Sequence, residues 1–574
     1  MLLTGAQLVV KALAAENVST VFAYPGGQAI DLFDALYDAQ GLEVIVPRHE
    51  QGLIHAADGY ARSTGRVGVC LVTSGPGATN LVTGIATANY DSVPLVCITG
   101  QVPLSLLGKE TFQEIDIVSV TQSITKYAVM VKRREDLGPI LRQAFEIAQT
   151  GRPGVVLVDI PKDIQQALGS AVYPKQASKP TAAADIAEAG LQQAALLLHQ
   201  ARRPLLLAGG GVKIAGAQNI LRQLVERADL PVVTTIMGKG VLDTAHPLYI
   251  GNLGIHGSYA ANMAVSQCDV LLAVGTRFND RITGRVETFA PEAAIIHIDI
   301  EASNIGKNIP VDVAMIADAK TALTALAQRL EPLDTSAWRS EIASWQTAHP
   351  LGQASCEADA LTPKAILQTI NKSFEEVIVT TDVGQNQLWT TQFLAMDEHK
   401  QLLTSGGLGT MGYGFPAAIG AQLGHPQQYV LAICGDGGFV MNSQELATAV
   451  VYELPIIICV LNNGYLGNVR QWQEFFYHKR YAGTCTRYRK SCGAWCSAPS
   501  VSCPAYVPDF VHLAQSYGAQ ALRVQRPEEL AAALQEAKHS RTVPTLIECL
   551  IDRAENVLPI VPPGSSLAEM LLES

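Results

Sequence analysis

The sequence predicts an α/β protein made of three doubly wound parallel-sheet domains. Short apolar runs alternate with helical patterns along the whole chain, which is typical of buried parallel strands joined by crossover helices. Three such runs lie in the first third (VGVCLVTS, PLVCITG and GVVLVDI), three in the second (PLLLAGGG, DVLLAVG and AIIHIDI) and four in the last (VIVTTD, YVLAICGDGG, PIIICVLNN and TLIECLID). At 574 residues, of which 48% are hydrophobic and only 16% charged, the chain is too long for one core and apolar enough for several.

Two polar, Ala- and Pro-rich stretches, near 169–186 and 331–362, divide these runs and are predicted to be linkers. We therefore expect an N-terminal domain over 1–168, a central domain over 186–332 and a C-terminal domain over 363–574. The first helix is expected to begin after Thr4, because threonine is a favourable N-cap residue.

Charge and hydropathy exclude several classes of function. A formal net charge of -11 offers no basic surface for a nucleic-acid backbone. No run reaches the ~18 apolar residues of a membrane span, and the N-terminus lacks an export signal. Seven of the eleven cysteines are scattered, several in apolar strands, which is typical of the reducing cytosol. We expect a cytoplasmic protein.

Two strand ends in the last third carry metal-binding groups. Gly435-Asp436-Gly437 follows the strand YVLAIC, and Asn462-Asn463 follows the strand PIIICVL. Because parallel strands end at the same edge of a sheet, Asp436 and Asn463 are expected to lie side by side. Carboxylate and amide oxygens suit Mg²⁺, and the glycines let the backbone approach a diphosphate. On its own, the GDG tripeptide would predict only a turn.

A second group of motifs surrounds Glu50. The run Arg48-His49-Glu50-Gln51 follows the strand EVIV, and glycine loops stand on both sides of it, at 24–27 (YPGG) and 73–80 (TSGPGATN). A lone glutamate at a strand end is commonly a solvated surface group. The two flanking glycine loops favour a functional acid instead.

With these motifs, the chain resembles thiamine-diphosphate enzymes, and most specifically the acetolactate synthase large-subunit family. The resemblance runs from about Gly5 to Met570 and includes GQVP at 100–103, FQE at 112–114, DIPKD at 159–163, GGLGTMG at 406–412 and VRQWQ at 469–473. It implies pyrimidine-binding, FAD-binding and diphosphate-binding domains in that order. It also implies an enzyme that decarboxylates pyruvate and condenses the hydroxyethyl fragment with pyruvate or 2-ketobutyrate, the first common step of branched-chain amino acid biosynthesis.

The resemblance assigns roles to individual residues. Glu50 activates the cofactor through its aminopyrimidine ring, while Asp436 and Asn463 hold Mg²⁺. Met411 keeps the cofactor bent, and Trp472 selects the second substrate. The remaining catalytic candidates are Phe112, Gln113 and Lys162. The contacts to thiamine diphosphate, besides Met411, are Pro25, Gly26, Gly27, Thr73, Asn80, Val383, Gly384, Gln385, Gly409, Gly435, Gly437, Gly438 and Val469.

The central domain carries a weaker dinucleotide signal. Gly209-Gly210-Gly211 follows the strand PLLLA, and Asp299 ends the strand AIIHI, so that glycines could admit a dinucleotide and an acid could reach a ribose. Three consecutive glycines depart from the usual spaced fingerprint. By resemblance, a structural FAD without a net redox part also touches Arg152, His256, Gly257, Gly275, Arg277, Arg281, Ile282, Ile300 and Asp318.

The resemblance further implies a homodimer or tetramer, in which Glu50 of one copy meets Asp436 of another, and a small regulatory subunit. Several residues differ from the family pattern and leave the preferred ketoacid and the flavin affinity unpredicted: Gln28, Thr111, Ile255, Asn279, Asn386 and Asn468. Two alternatives stay open. The first is another thiamine-diphosphate enzyme, such as a catabolic acetolactate synthase or a pyruvate oxidase. The second is a non-catalytic, redox-sensing relative.

The second alternative rests on an insertion at about 482–507. It contains Cys485, Cys492, Cys496 and Cys503, separated by six, three and six residues. Four thiolates can hold Zn²⁺ or an iron–sulfur cluster, but this spacing matches neither CxxC pairs nor a ferredoxin run. Free thiols or redox-labile disulfides are the other hypotheses, and nearby basic residues would lower the thiol pKa.

Overall fold

The computed structural model describes residues 2–174, 187–352, 361–495 and 503–573. In these ranges, three parallel six-stranded sheets flanked by helices follow one another along the chain, which confirms the predicted fold class. Within the same ranges, no helix is both long and apolar enough to cross a bilayer.

The N-terminal sheet has the order β3-β2-β4-β5-β7-β6. Its fully buried strands are runs of Val, Leu, Ile and Cys, as expected for a sheet covered on both faces. A short antiparallel pair, β1 with β8, closes the domain. The strands are β1 (Leu2–Leu3), β2 (Thr20–Tyr24), β3 (Glu43–Ile45), β4 (Gly68–Val72), β5 (Leu95–Gln101), β6 (Tyr127–Met130), β7 (Val155–Pro161) and β8 (Gly169–Ser170). The helices are α1 (Gly5–Ala15), α2 (Ile30–Tyr37), α3 (Glu50–Thr64), α4 (Pro76–Thr79), α5 (Val82–Tyr90), α6 (Ile117–Thr121), α7 (Leu137–Gln149) and α8 (Lys162–Gln166).

The central sheet has the order β11-β10-β9-β12-β13-β14. Its strands are β9 (Pro204–Ala208), β10 (Val232–Thr234), β11 (Tyr249–Asn252), β12 (Val270–Val274), β13 (Ala294–Asp299) and β14 (Val313–Ile316). Its helices are α9 (Glu188–Gln200), α10 (Gly210–Ile214), α11 (Gln218–Ala228), α12 (Tyr259–Gln267), α13 (Asp280–Thr283), α14 (Ala319–Ala327) and α15 (Ser336–Ala348).

The C-terminal sheet has the order β16-β15-β17-β18-β20-β19. Its strands are β15 (Val377–Thr381), β16 (Lys400–Thr404), β17 (Val430–Gly435), β18 (Ile457–Asn462), β19 (Gln520–Val524) and β20 (Thr545–Leu550). Its helices are α16 (Pro363–Ser373), α17 (Gln385–Phe393), α18 (Gly414–Gly424), α19 (Asp436–Met441), α20 (Leu446–Val451), α21 (Gly467–Phe476), α22 (Phe510–Ser516) and α23 (Pro527–His539).

The N-terminal and C-terminal domains share one hydrophobic core, in which α3 packs against α18. Glycines bring the two backbones together. A Cβ atom placed on Gly59 would lie 2.1 Å from the Ala417 carbonyl oxygen, and one on Gly420 would lie 1.8 Å from that of Ala56. Helices that touch through backbone atoms leave no room for side chains between them, so the two domains are fixed relative to one another.

The predicted linkers contain regular structure. Thr4 caps α1 as expected. By contrast, the stretch near 331–362 contains α15, whose Trp338 is only 2% exposed and donates from Nε1 to the Pro204 carbonyl oxygen at 3.2 Å. Polar residues on the outer face of this helix concealed its apolar contacts in the sequence. The start of the other stretch forms β8, so it is not a linker throughout.

Candidate functional site

One half of the site lies at the carboxyl edge of the C-terminal sheet. Asp436 is the first residue of α19, directly after β17, and Asn463 directly follows the neighbouring β18. Both side chains line one cavity, as the two-strand argument predicts. Of the residues expected to contact the diphosphate end of the cofactor, all except Gly409 also line it, namely Val383, Gly384, Gln385, Met411, Gly435, Gly437, Gly438 and Val469.

The two metal-ligand candidates have defined partners. Burial raises the pKa of Asp436 to about 7, while hydrogen bonds with the side chains of Thr486 and Tyr506 act in the opposite direction. Asn463 donates from Nδ2 to Gln385 Oε1 at 3.0 Å and accepts the backbone N–H of Tyr465 at 3.1 Å. A divalent cation would supply the positive charge that a buried carboxylate otherwise lacks.

A buried acid that sequence reasoning missed organises the glycine loop beside this cavity. Asp382 accepts the backbone N–H groups of Gly412 at 3.0 Å and Gly414 at 3.1 Å, which fixes the loop that carries Met411. A Cβ atom on Gly438 would lie 2.1 Å from Asp382 Oδ1. Burial raises the pKa of Asp382 to about 6, although its hydrogen bonds with the backbone N–H groups act to lower this pKa. The only signal in the sequence was an acid ending the run VIVTTD.

The other half of the site lies in the N-terminal domain. Glu50 is the first residue of α3, and its Oε2 accepts a hydrogen bond from Asn80 Nδ2 at 2.9 Å. The TSGPGATN loop lies beside this carboxylate, as shown by Gly77, on which a Cβ atom would be 3.4 Å from Glu50 Oε1. Thr73 joins the two glycine loops, since its methyl group is only 2.5 Å from where a Cβ atom on Gly26 would lie.

The remaining catalytic candidates stand around the same patch. Gln113 has a left-handed backbone with φ of 60° and packs on Gly75. Lys162 donates from Nζ to the Gly27 carbonyl oxygen at 2.7 Å, beside Pro25 in the same loop. Phe112 is 82% exposed within one chain.

Within the described part of one chain, Glu50 and the Asp436 cavity are separate features. Among the described residues, all those that line the Asp436 cavity come from the C-terminal domain, and Glu50 is not one of them. A different acid links the domains: Glu445 accepts the backbone N–H groups of Arg48 at 3.0 Å and His49 at 3.1 Å. Sequence reasoning missed Glu445, which ends the polar 3₁₀ turn Ser443–Glu445 just before α20 and belongs to no motif.

Glycines of the central domain lie where all three domains join. Gly211 N–H donates to the Gly275 carbonyl oxygen at 3.1 Å, and a Cβ atom on Gly209 would lie 2.1 Å from that oxygen. Gly210 packs on Met237, which was not predicted, and Met237 also contacts Gly406 of the C-terminal domain. The junction is therefore built from residues that have no room for larger side chains.

Two predicted arginines face this junction. Arg152 donates to Ser92 Oγ at 2.8 Å, and the Arg277 guanidinium lies 5.8 Å from the centre of the Tyr90 ring. Burial and the neighbouring Arg277 lower the pKa of Arg152. Asp91, also missed from the sequence, accepts the N–H groups of Gly406 and Gly407.

The other flavin candidates are more dispersed. The Nδ1 atom of His256 is buried and has no hydrogen-bond partner among the described residues, and burial lowers the pKa of this histidine to about 4. Asp299 Oδ1 accepts the N–H of Glu301 at 2.8 Å. Arg281 forms an ion pair with Asp280, next to the buried Ile282. Asp318 is the N-cap of α14, and Ile300 is exposed. Gly257 packs closely on Gly254.

The selector candidate Trp472 lies on α21 and packs edge-to-face on Phe476 at 5.7 Å. Its Nε1 is buried without a hydrogen-bond partner in the described chain, and so is Oδ1 of Asn468, one helical turn earlier and on the wall of the Asp436 cavity.

The cysteine insertion is only partly described. Cys485 and Cys503 are half-buried and Cys492 is exposed, whereas Cys496 lies outside the described residues. Among the residues that are described, no three His, Cys, Asp or Glu side chains form a group able to hold a metal ion. The metal and thiol hypotheses for the four cysteines both remain predictions.

Comparison with known proteins matches this architecture domain by domain. Three thiamine pyrophosphate enzyme family models match: the N-terminal TPP binding domain over 3–120, the central domain over 191–326 and the C-terminal TPP binding domain over 382–549. One of these models falls on each of the three sheet domains.

Curated relatives match over almost the entire chain. A probable acetolactate synthase large subunit of Methanocaldococcus jannaschii is 44% identical over 99% of this chain and 95% of its own length. The acetolactate synthase isozyme 2 large subunit of Escherichia coli is 43% identical over 99% of both chains, and the large subunit of Corynebacterium glutamicum is 43% identical over 99% of this chain and 90% of its own. The chain belongs to the thiamine-diphosphate-dependent enzymes, in the family of acetolactate synthase large subunits.

Proposed function

We propose that the chain decarboxylates pyruvate and joins the resulting two-carbon unit to pyruvate or 2-ketobutyrate, giving 2-acetolactate or 2-aceto-2-hydroxybutyrate. The observation that carries this proposal is the pairing of a cation-binding cavity around Asp436 and Asn463 with a separate, loop-covered carboxylate at Glu50. The sequence identity to acetolactate synthase large subunits supports the choice of reaction.

The C-terminal cavity fits a magnesium diphosphate. Asp436 and Asn463 provide oxygen ligands, and Gly437 and Gly438 line the same cavity without side chains of their own. Met411, held by the loop that Asp382 organises, is the side chain that would support the bent cofactor. When bound, thiamine diphosphate supplies the nucleophilic carbon that adds to a ketoacid and the electron sink that permits loss of CO₂.

Glu50 performs the proton step that the reaction requires. Its Oε2 is engaged by Asn80, so Oε1 is the oxygen to which we assign proton exchange with the pyrimidine ring. Asn80 keeps the carboxylate oriented, and Gly77 of the same loop lies beside it. In this assignment, Gln113, Phe112 and Lys162 contact the ketoacids, and Trp472 determines which second ketoacid is accepted.

The central domain fits FAD. Arg152 and Arg277 offer positive charge for an anionic dinucleotide beside the Gly209 and Gly275 loops, and His256 Nδ1 is a buried atom without a partner among the described residues. We assign these residues to a structural flavin. A pyruvate oxidase would use a flavin as its oxidant, so bound FAD without pyruvate-dependent reduction of oxygen would separate the two enzymes.

The active unit is a homodimer or a larger assembly of such dimers. Glu50 is not among the described residues that line the Asp436 cavity of its own chain, which supports a site completed by a second copy. The relatives are named large subunits, which supports a small regulatory subunit as a further partner. We propose a cytoplasmic enzyme without nucleic-acid or membrane partners.

The direct test is the Glu50→Ala variant, with Glu43→Ala, an exposed glutamate seven residues earlier, as matched control. Acetolactate is measured by a colorimetric acetoin assay with pyruvate alone and with mixed pyruvate and 2-ketobutyrate. Glu50→Ala is expected to lose roughly 10²–10⁴-fold in turnover, the range of a general acid–base contribution, with an unchanged unfolding temperature. Turnover in Glu50→Ala within tenfold of the unmodified enzyme would contradict the assignment.

A further inference from the structure

Two hydroxyl side chains of the insertion reach the carboxylate of Asp436. Thr486 Oγ1 donates to Asp436 Oδ2 at 3.1 Å. The Tyr506 phenol lies close enough to this carboxylate and to Thr486 to interact with both. Thr486 belongs to the first arm of the insertion, residues 482–495, and Tyr506 belongs to the second arm, residues 503–507. Both arms therefore converge on a metal-ligand candidate that lies 50 residues before Thr486 in the chain.

The position of Thr486 is fixed by backbone pairing with the segment that follows Asn463. Leu466 N–H donates to the Thr484 carbonyl oxygen at 2.8 Å, Thr486 N–H donates to the Gly464 carbonyl oxygen at 3.1 Å, and Tyr465 and Cys485 form an antiparallel bridge between these bonds. The hydroxyl of Thr486 is thus held on the same backbone unit as the second metal-ligand candidate.

Two arginines tie the first arm to the second. Arg487 donates from Nε to the Pro504 carbonyl oxygen at 2.5 Å and from a terminal nitrogen to that of Cys503 at 3.1 Å. Arg489 donates to the Ala505 carbonyl oxygen at 2.8 Å. A guanidinium that donates in a fixed fork constrains its acceptors more than a flexible cation does. These bonds place Tyr506 opposite Thr486, at the carboxylate.

A carboxylate that binds a cation is normally oriented by hydrogen bonds from outside the ligand set, and loss of such a partner typically costs 10–100-fold in metal affinity or activity. Asp436 has two oxygens, so donors on one side leave lone pairs on the other for a cation. We propose that Thr486, with Tyr506 beside it, is a positioning residue that orients Asp436 for its divalent cation, so that these two side chains form part of the cation site. This inference rests on the proposed function.

The experiment measures Mn²⁺ binding to the full-length protein with thiamine diphosphate, by the electron paramagnetic resonance signal of free Mn²⁺. Thr486→Val replaces the hydroxyl by a methyl group of similar size, and Thr486→Ser keeps it. The matched control is Thr484→Val, because the Thr484 hydroxyl donates instead to Gln473 Oε1 at 2.9 Å. Tyr506→Phe removes the second hydroxyl only.

We expect Thr486→Val to weaken Mn²⁺ binding by roughly 10-fold and Tyr506→Phe by several-fold, the range for lost outer-shell hydrogen bonds. Thr486→Ser and Thr484→Val should stay within about twofold of the unmodified protein. The Mg²⁺ concentration that gives half-maximal activity should rise in parallel, while turnover at saturating Mg²⁺ changes little.

Two results would overturn the inference. One is Mn²⁺ binding by Thr486→Val within twofold of the unmodified protein. The other is tighter binding, which would mean that the hydroxyl competes with the cation. Equal weakening by Thr484→Val would assign the effect to the fold of the insertion instead of Thr486. Failure of the unmodified protein to bind Mn²⁺ and thiamine diphosphate would contradict the proposed function itself.

Discussion

Replacement of Gly420 by alanine tests the packing that joins the two halves of the fold. A Cβ atom at Gly420 would lie 1.8 Å from the Ala56 carbonyl oxygen and 2.7 Å from the Tyr60 nitrogen. Real Cβ contacts essentially never fall below 3.0 Å, so α3 and α18 must separate by at least 1.2 Å, the difference between 3.0 and 1.8 Å. Both partners are backbone atoms of buried helices and cannot rotate away.

Overpacking of a well-packed core costs roughly 1–3 kcal/mol, and a backbone-to-backbone clash belongs at the upper end of that range. For the N-terminal and C-terminal domains, which are each in the range of about 150–250 residues, we expect the unfolding temperature to fall by roughly 4–10 °C. The shift would also displace the start of α3, which carries Glu50, so turnover should fall as well.

Differential scanning calorimetry of Gly420→Ala is the assay, and Gly190→Ala is the matched control. The nearest atom to a Cβ on Gly190 is 3.6 Å away, and the residue lies in α9, where alanine is favoured over glycine by up to about 1 kcal/mol. The control should unfold at an unchanged or slightly higher temperature. An unfolding temperature of Gly420→Ala within 1 °C of the unmodified protein would refute the packing argument.

Three further predictions concern a buried amine, the selector and the insertion. Burial and the neighbouring Lys213 lower the pKa of Lys239 to about 7. Because the unfolded chain binds this proton more readily, the free energy of unfolding decreases as pH falls from about 10 towards 7. Lys239→Met should remove this loss and unfold at a higher temperature than the unmodified protein at pH 7, and an equal or lower unfolding temperature would contradict the assignment. Trp472→Leu should reduce the ratio of 2-aceto-2-hydroxybutyrate to 2-acetolactate in mixed-ketoacid assays, and an unchanged ratio would remove Trp472 from the substrate contact. If the insertion is a metal site, elemental analysis of anaerobically purified protein should show bound Zn or Fe, and Cys492→Ser and Cys496→Ser should each lose it. Absence of metal from the unmodified protein would eliminate that hypothesis.

The fold was predictable because parallel strands buried on both faces appear as continuous apolar runs that carry their own signal. The Asp436 cavity was predictable for a related reason, since two consecutive strand ends must share a sheet edge. Glu50 needed the resemblance as well, because one glutamate after a strand has no distinctive physical signature.

The supporting residues were not predictable. Asp382, Asp91 and Glu445 act by accepting backbone N–H groups from loops that are distant in sequence, and no local pattern encodes such a partner. Helix α15 was concealed because its contact surface is a few large residues within a polar stretch. Thr486 could not have been assigned either, since its partner Asp436 is approached only through the folded insertion.

The central claim is that the active site is assembled from the Glu50 patch of one chain and the Asp436 cavity of another. Glu50→Ala and Asp436→Ala chains with different affinity tags can be co-expressed, and the mixed dimer isolated by two successive affinity steps. Each parental homodimer should be nearly inactive, whereas the mixed dimer has one intact site of two and should recover about half of the unmodified activity per dimer. A mixed dimer as inactive as its parents would contradict the claim, because it would place both residues in the site of a single chain.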